Sequence, residues 1–185
     1  MFALDYDGTI ADTNAIKTRW ISDNLGLDVA PYSCDHTWCA PIIGEEDYKH
    51  MSGVVYNHEN TIAAKPIHGA PEALKELAAH GPVYIATARD SSSSPYAAEW
   101  LEVNGLMKYI ERIVPWVGTP KIMVARSLGC RALVDDDIRH LETMPPEGMK
   151  LLLIKPDFEG TADIPEEVTL CTKWERIVEE ATAGL

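Results

Sequence analysis

Apolar and polar positions divide the chain into two kinds of segment. Phe2-Ala3-Leu4 is a short apolar run that ends in acidic residues and Gly8, the pattern of a buried strand. Pro82 to Ala86, Ile110 to Val114, Arg131 to Val134 and Lys150 to Ile154 repeat it. Between these runs the period changes to that of a helix. Pro71 to His80 sets Leu74, Leu77 and Ala78 on one face, opens on a proline and stops before Gly81. Pro95 to Asn104, Pro120 to Leu128 and Trp174 to Ala181 read the same way. Strands that alternate with helices at this spacing predict an α/β fold, with a central parallel sheet covered by helices on both faces.

The stretch from about Asp12 to His68 breaks the alternation and contains no strand pattern. Ala15 to Leu25 and Glu45 to Asn60 predict helices, joined by an irregular piece containing Pro31 and Pro41. The expected organisation is a core formed by residues 1–13 and 67–185, with residues 14–66 as a small helical insert after the first strand. Ser91 to Ser94 reads as a loop, and the chain has no internal repeat.

Composition narrows the possibilities without selecting among activities. With 185 residues, 46% hydrophobic and 24% charged, the chain is long enough to bury a full core. No apolar run has the length of a bilayer span, and no basic stretch precedes an apolar one at the N-terminus, so no membrane association is expected. The formal net charge of -13 repels polynucleotide phosphates, which disfavours a nucleic-acid partner. Cys34, Cys39, Cys130 and Cys171 match no familiar zinc or redox spacing. Reduced thiols in a cytoplasmic protein are the expectation.

The candidate chemistry lies where the strands end. In an open parallel sheet, ligands bind outside the carboxyl ends of the strands. Asp5, Asp7, Gly8 and Thr9 follow the first predicted strand, and Thr87, Ala88 and Arg89 follow the second. Lys121 opens a helix, and Asp135, Asp136 and Asp137 follow the fourth strand. Carboxylates, hydroxyls and a lysine on one edge suit a hard divalent cation and a phosphate together. Arg89 has two open readings, a contact to substrate phosphate or a pair with a nearby acid. His68 and His140 are expected to be structural or exposed.

Asp5-Tyr6-Asp7-Gly8-Thr9-Ile10-Ala11-Asp12-Thr13 resembles the first motif of the haloacid dehalogenase (HAD) superfamily. Ile85-Ala86-Thr87-Ala88-Arg89 resembles the second. Lys121 falls at the place of the third motif's lysine, and Val134-Asp135-Asp136-Asp137 resembles the acidic fourth. The resemblance spans nearly the whole predicted core, in order. It implies a Rossmann-like core with a small helical cap, and a magnesium-dependent phosphatase. Asp5 would be the nucleophile that forms an aspartyl-phosphate. Asp7 would protonate the leaving alcohol and then deprotonate water. Gly8 would allow a tight turn whose amides face the phosphate, Thr87 would donate to a phosphoryl oxygen, and Lys121 would neutralise charge. Magnesium would bind the Asp5 carboxylate, the Asp7 carbonyl and a carboxylate of the fourth motif. Asp136 is favoured as that ligand, with Asp135 also close to the metal, while Asp137 has a second reading as a helix cap.

A cap favours small phosphorylated substrates. Residues 66–74, Pro66-Ile67-His68-Gly69-Ala70 through Glu72-Ala73-Leu74, resemble the lead-in to the second motif of the 5'(3')-deoxyribonucleotidase branch. That resemblance implies a nucleoside monophosphate as substrate, with a sugar phosphate, another metabolite or a polynucleotide end as alternatives. Trp20, Tyr32, Trp38, Tyr48 and Tyr56 in the insert either stack on a base or form the insert's own core.

Overall fold

The computed structural model describes residues 1–116, 118–142 and 147–185. Six parallel strands form one sheet: β1 (Phe2–Leu4), β2 (Val83–Thr87), β3 (Arg112–Pro115), β4 (Ala132–Asp135), β5 (Lys150–Ile154) and β6 (Val168–Cys171). Their spatial order is β3-β2-β1-β4-β5-β6, so the chain reverses its direction of winding between β1 and β4. That switch point opens a crevice at the carboxyl ends of the two strands. β1 is three residues long and lies between two partners, with Leu4 in register with Ile85 on one side and Val134 on the other. Every residue of β1 and β4 is buried, as a central parallel strand demands.

Helices α5 (Ala70–His80), α6 (Ser94–Val103), α7 (Lys121–Ser127) and α8 (Trp174–Thr182) cover the sheet. Leu74 and Leu77 of α5, Trp100 and Leu101 of α6, and Trp174 and Ile177 of α8 join one buried cluster with Phe2, Leu4 and Ile85. The opposite face carries a smaller cluster, including Ala3, Ile122, Leu133 and Leu151. All five predicted strands are present. β6 is an addition: its four residues have too short and too mixed a pattern to stand out, and pairing with β5 defines it.

Between β1 and α5 lie four helices: α1 (Thr13–Leu25), α2 (His36–Ile43), α3 (Glu45–Val55) and α4 (His58–Ala63). They surround a third cluster that includes Ile21, Cys34, Cys39, Met51 and Val55. Two sequence expectations change here. Residues 36–43, part of the piece expected to be irregular, form a helix, because the Asp35 side chain accepts from the Trp38 N–H and starts it. Pro41 falls in the last turns of this short helix, where it removes one hydrogen bond. The single helix expected over 45–60 is two helices, because Asn57 leaves the helical conformation and its side chain caps α4 through the Asn60 N–H. Among the described residues, no helix is long and apolar enough to cross a membrane.

Candidate active site

β1 ends at Leu4, and the Asp5 N–H donates to the Val134 carbonyl of β4 at 2.9 Å. The sheet ladder therefore continues one step into the site and places Asp5 directly beside Asp135. Lys121, the first residue of α7, extends its ammonium between them. It donates to Asp5 Oδ1 at 2.8 Å and to Asp135 Oδ2 at 2.5 Å, and all three side chains are buried. Burial pushes the Asp5 carboxyl up to about 7, with Lys121 opposing the rise and Asp135 and Asp7 adding to it. Asp135 and Asp136 are raised too, chiefly by burial. Burial works against the charge of Lys121, but Asp135 and Asp5 outweigh it and raise its pKa, so it stays an ammonium.

The chain then turns at Gly8, with φ +73°. A Cβ at this position would sit 2.0 Å from Asp136 Oδ2 and 2.6 Å from Asn14 Nδ2. Glycine is required twice, by the left-handed backbone and by the closeness of the Asp136 carboxylate. Asn14, in the first turn of α1, donates to Asp136 Oδ2 at 2.9 Å. Among the described residues, Asp136 Oδ1 carries no hydrogen bond, whereas both Asp135 oxygens are engaged, by Lys121 and by the Asp137 N–H. Asp137 accepts from the Arg139 N–H, from the Arg139 guanidinium and from the Thr37 hydroxyl of α2 at 2.6 Å, the last a contact from the helical segment.

A divalent cation fits this donor set. Ligand oxygens of Asp5, Asp135 and Asp136 lie within 4.8 Å of one another. Three buried carboxylates with one shared lysine leave an excess of negative charge, and all the donors are hard oxygens of the kind magnesium takes. Asp5 and Asp136, each with one oxygen that accepts no hydrogen bond among the described residues, would be the better placed ligands. Asp135 acts first as the partner that fixes Lys121.

Arg89 takes the second of its two sequence readings. Its Nε donates to Asp7 Oδ2 at 2.9 Å and its Nη2 to Asp7 Oδ1 at 2.8 Å, a bidentate pair. Its Nη1 donates to the Thr61 hydroxyl of α4 at 2.7 Å, and the guanidinium lies over the Tyr6 and Tyr56 rings.

These groups surround a cavity of about 300 Å³. Asp5, Asp7, Ala88, Arg89, Lys121, Asp135, Asp136 and Asp137 all line it. Three expected site residues do not. Gly8 lines a neighbouring cavity with Asn14. Thr9 is fully buried with its hydroxyl unpartnered. Thr87 is buried at the end of β2, where its hydroxyl accepts from the Arg89 N–H at 3.2 Å.

The helical segment supplies more of the wall, and of its residues sequence reasoning named only Tyr48 and Tyr56. Lys17, Asp35, His36, Tyr48 and Tyr56 line the cavity. Lys17 is buried in α1, a helix of weak amphipathic pattern, and nothing in its spacing distinguishes it from a surface lysine. Burial works against its charge, but Tyr56, Tyr48, Asp136 and Asp7 oxygens outweigh that and raise its pKa. Asp35 receives Lys155, which follows β5, at 2.5 Å, and the Lys155 ammonium also lies 4.2 Å from the Trp38 ring centroid. His140 packs edge-on against Trp116 and is pushed down to about 3 by burial and Lys121, so it is neutral. Trp20 pairs with His50, and Tyr32 and Trp38 with Phe158; none of the three lines the cavity. The cysteines are free and buried.

No family model matches the chain, and no curated protein does. Solved structures do match over almost its whole length. An HAD family hydrolase from Deinococcus radiodurans with bound phosphate and sodium shares 18% identity at a TM-score of 0.61, over 97% of this chain and 95% of that one. A haloacid dehalogenase-like hydrolase from Streptococcus pneumoniae shares 16% identity at a TM-score of 0.60, over 97% and 96%. A predicted phosphoglycolate phosphatase from Haemophilus somnus shares 14% identity at a TM-score of 0.58, over 97% and 96%. At these identities the likeness is one of architecture, and this chain has the HAD-like Rossmann fold.

Proposed function

We infer that this protein is a magnesium-dependent phosphomonoester hydrolase that works through an aspartyl-phosphate on Asp5. The observation that carries the reading is the Lys121 ammonium held between Asp5 and Asp135 at the switch point of the sheet, beside Asp136 and Asp7. The Deinococcus neighbour with bound phosphate and a cation supports it.

An Asp5 carboxylate oxygen forms a bond to phosphorus while the bond from phosphorus to the substrate alcohol breaks. Asp7 gives its proton to the departing oxygen. Water then attacks phosphorus, Asp7 takes the proton back, and the bond from Asp5 to phosphorus breaks. Lys121 orients Asp5 and offsets charge that builds on the phosphoryl oxygens. Magnesium, when bound by Asp5 and Asp136, supplies the positive charge that a cluster of acids needs to accept a phosphate dianion. Arg89 occupies both oxygens of Asp7, so proton transfer at Asp7 requires one of those N–H bonds to open. Helices α1 to α4 serve as a cap that excludes water, and the contacts from Thr37 to Asp137 and from Arg89 to Thr61 tie it to the site.

Small phosphorylated metabolites are the substrate class that suits a charged cavity of this size. The narrower reading, nucleoside monophosphates, rests on the resemblance in residues 66–74. In the cavity, cations already lie over the Tyr48 and Tyr56 rings, so a stacked base would compete with Lys17 and Arg89. The test is phosphate release from a panel of sugar phosphates, phosphorylated acids and nucleoside monophosphates, with and without magnesium, beside Asp5→Asn. Magnesium-dependent turnover that Asp5→Asn abolishes is the expected result. A fully folded, magnesium-binding protein with no turnover across the panel would sink the reading.

A further inference from the structure

Four cations are buried around the site. Three face carboxylates: Lys121 pairs with Asp5 and Asp135, Arg89 with Asp7, and Lys155 with Asp35. Lys17 is the fourth. It is 2% exposed, yet its ammonium meets only neutral groups, the Cys34 carbonyl at 3.1 Å and the Tyr48 hydroxyl at 3.5 Å. Among the described residues it forms no ion pair. The Tyr48 and Tyr56 rings lie 5.7 Å away at their centroids.

An ammonium has three donors, and these two contacts leave one without a partner. Burial of a cation is costly unless anions offset it; Asp136 and Asp7 do so from beyond contact distance, and the third donor stays open to an anion in direct contact. Lys17 also lines the same cavity as Asp5, so any anion that reaches it is bound in the same space as the phosphoryl group. Both ends of a bound substrate would lie in that cavity of about 300 Å³, which suits a compact substrate. One free donor on one ammonium matches a single, compact, singly charged group.

We propose that Lys17 binds a carboxylate on the substrate, so that the preferred substrates are small phosphomonoesters of hydroxy acids. The phosphoryl end of this assignment rests on the phosphatase reading; the carboxylate end rests on Lys17 alone. A competing role for Lys17 is to offset the charge of Asp136, and the two roles separate experimentally.

The probes are 3-phosphonopropionate and propylphosphonate, which differ in the carboxylate and resist hydrolysis. Each is titrated calorimetrically into the full chain with magnesium present. Wild-type protein is expected to bind 3-phosphonopropionate at least about tenfold more tightly, the value of one charge-assisted hydrogen bond. Lys17→Met should reduce that preference to less than about twofold, and Lys17→Arg should retain most of it. Equal affinity for the two probes in wild type overturns the proposal. So does Lys17→Met weakening both probes equally, the result expected of a counter-charge to Asp136. If Lys17→Met does not fold, Lys17→Gln, which keeps a donor for the Cys34 carbonyl, takes its place, and the wild-type comparison still decides. Preference for the carboxylated probe without phosphate release from any ester would uphold the role of Lys17 and sink the phosphatase reading. Release from neutral esters as fast as from carboxylated ones would do the reverse.

Discussion

At the sheet edge each buried cation faces a carboxylate, whereas in the helical segment Lys17 faces a carbonyl and two tyrosines. Both regions line one cavity. Within the sheet edge Arg89 pairs with Asp7, and Lys121 with Asp5 and Asp135, whereas Asp136 is held by Asn14 of α1. Lys121, Asp5 and Asp135 satisfy one another, and the ladder from β1 to β4 sets their spacing. In the helical segment Lys17 has no carboxylate in direct contact, and Asp136 and Asp7 act on it only at longer range. The difference separates the two demands on the site. On the proposed function, groups that act on phosphorus serve every substrate and are preorganised against each other. On the proposal for Lys17, a group that chooses among substrates is completed by the substrate itself.

The largest expected effect tests the seam between the two regions. Lys155 and Asp35 join the end of β5 to the start of α2 and are both almost fully buried. Lys155→Met leaves Asp35 as an uncompensated buried charge and should cost about 3–5 kcal/mol, read from the midpoint of urea unfolding. Adding Asp35→Asn, which keeps the helix cap and removes the charge, should restore most of the loss. If the single variant is as stable as wild type, the pair is not what holds the segment to the core.

Within the sheet edge, Lys121→Met should lower kcat for phosphate release by about 10²–10³-fold, the usual cost of losing one preorganised electrostatic contact. The fall should be similar for every substrate that turns over. A loss confined to carboxylated substrates would erase the distinction between the two regions.

Gly8→Ala tests a smaller dependence. The new methyl group meets Asp136 and Asn14, so Asp136, the proposed metal ligand, must move. Magnesium affinity should fall by about 10–100-fold, as it does when support of a ligand is lost. Unchanged affinity, measured by calorimetry, would remove Asp136 from the ligand set.

The smallest effect concerns pH. Folding raises the Asp5 carboxyl to about 7 from its ordinary value of 3.8, chiefly through burial. A raised folded value favours the protonated form, so its contribution to stability is full below about pH 4 and is lost as pH rises through 7. In EDTA, Asp5→Asn should therefore gain on wild type by on the order of 2 kcal/mol between pH 5 and pH 8. Parallel pH curves for the two proteins would show that Asp5 is not under this strain.

Much of the sheet edge was legible in the chain. Asp5, Asp7 and the triple acid at 135–137 follow apolar runs, and parallel strands deliver whatever follows them to one edge. Lys121 was legible as the opening residue of a helix. The partner of Arg89 was not, because pairing with Asp7 joins residues 82 positions apart and two readings of the same side chain fit the sequence equally. Thr87 stands at the expected place, but its hydroxyl accepts from the Arg89 amide and the residue does not line the cavity.

Sequence by itself determined the alternation of strands and helices, the interruption after β1 and the acids at strand ends, because these are local matters of period and punctuation. Tertiary structure alone decided which of the acids share Lys121, that Asp136 sits where only glycine lets it approach, and that Lys17 is inside. Those outcomes depend on contacts between distant segments, and a buried lysine carries no local pattern that sets it apart from an exposed one.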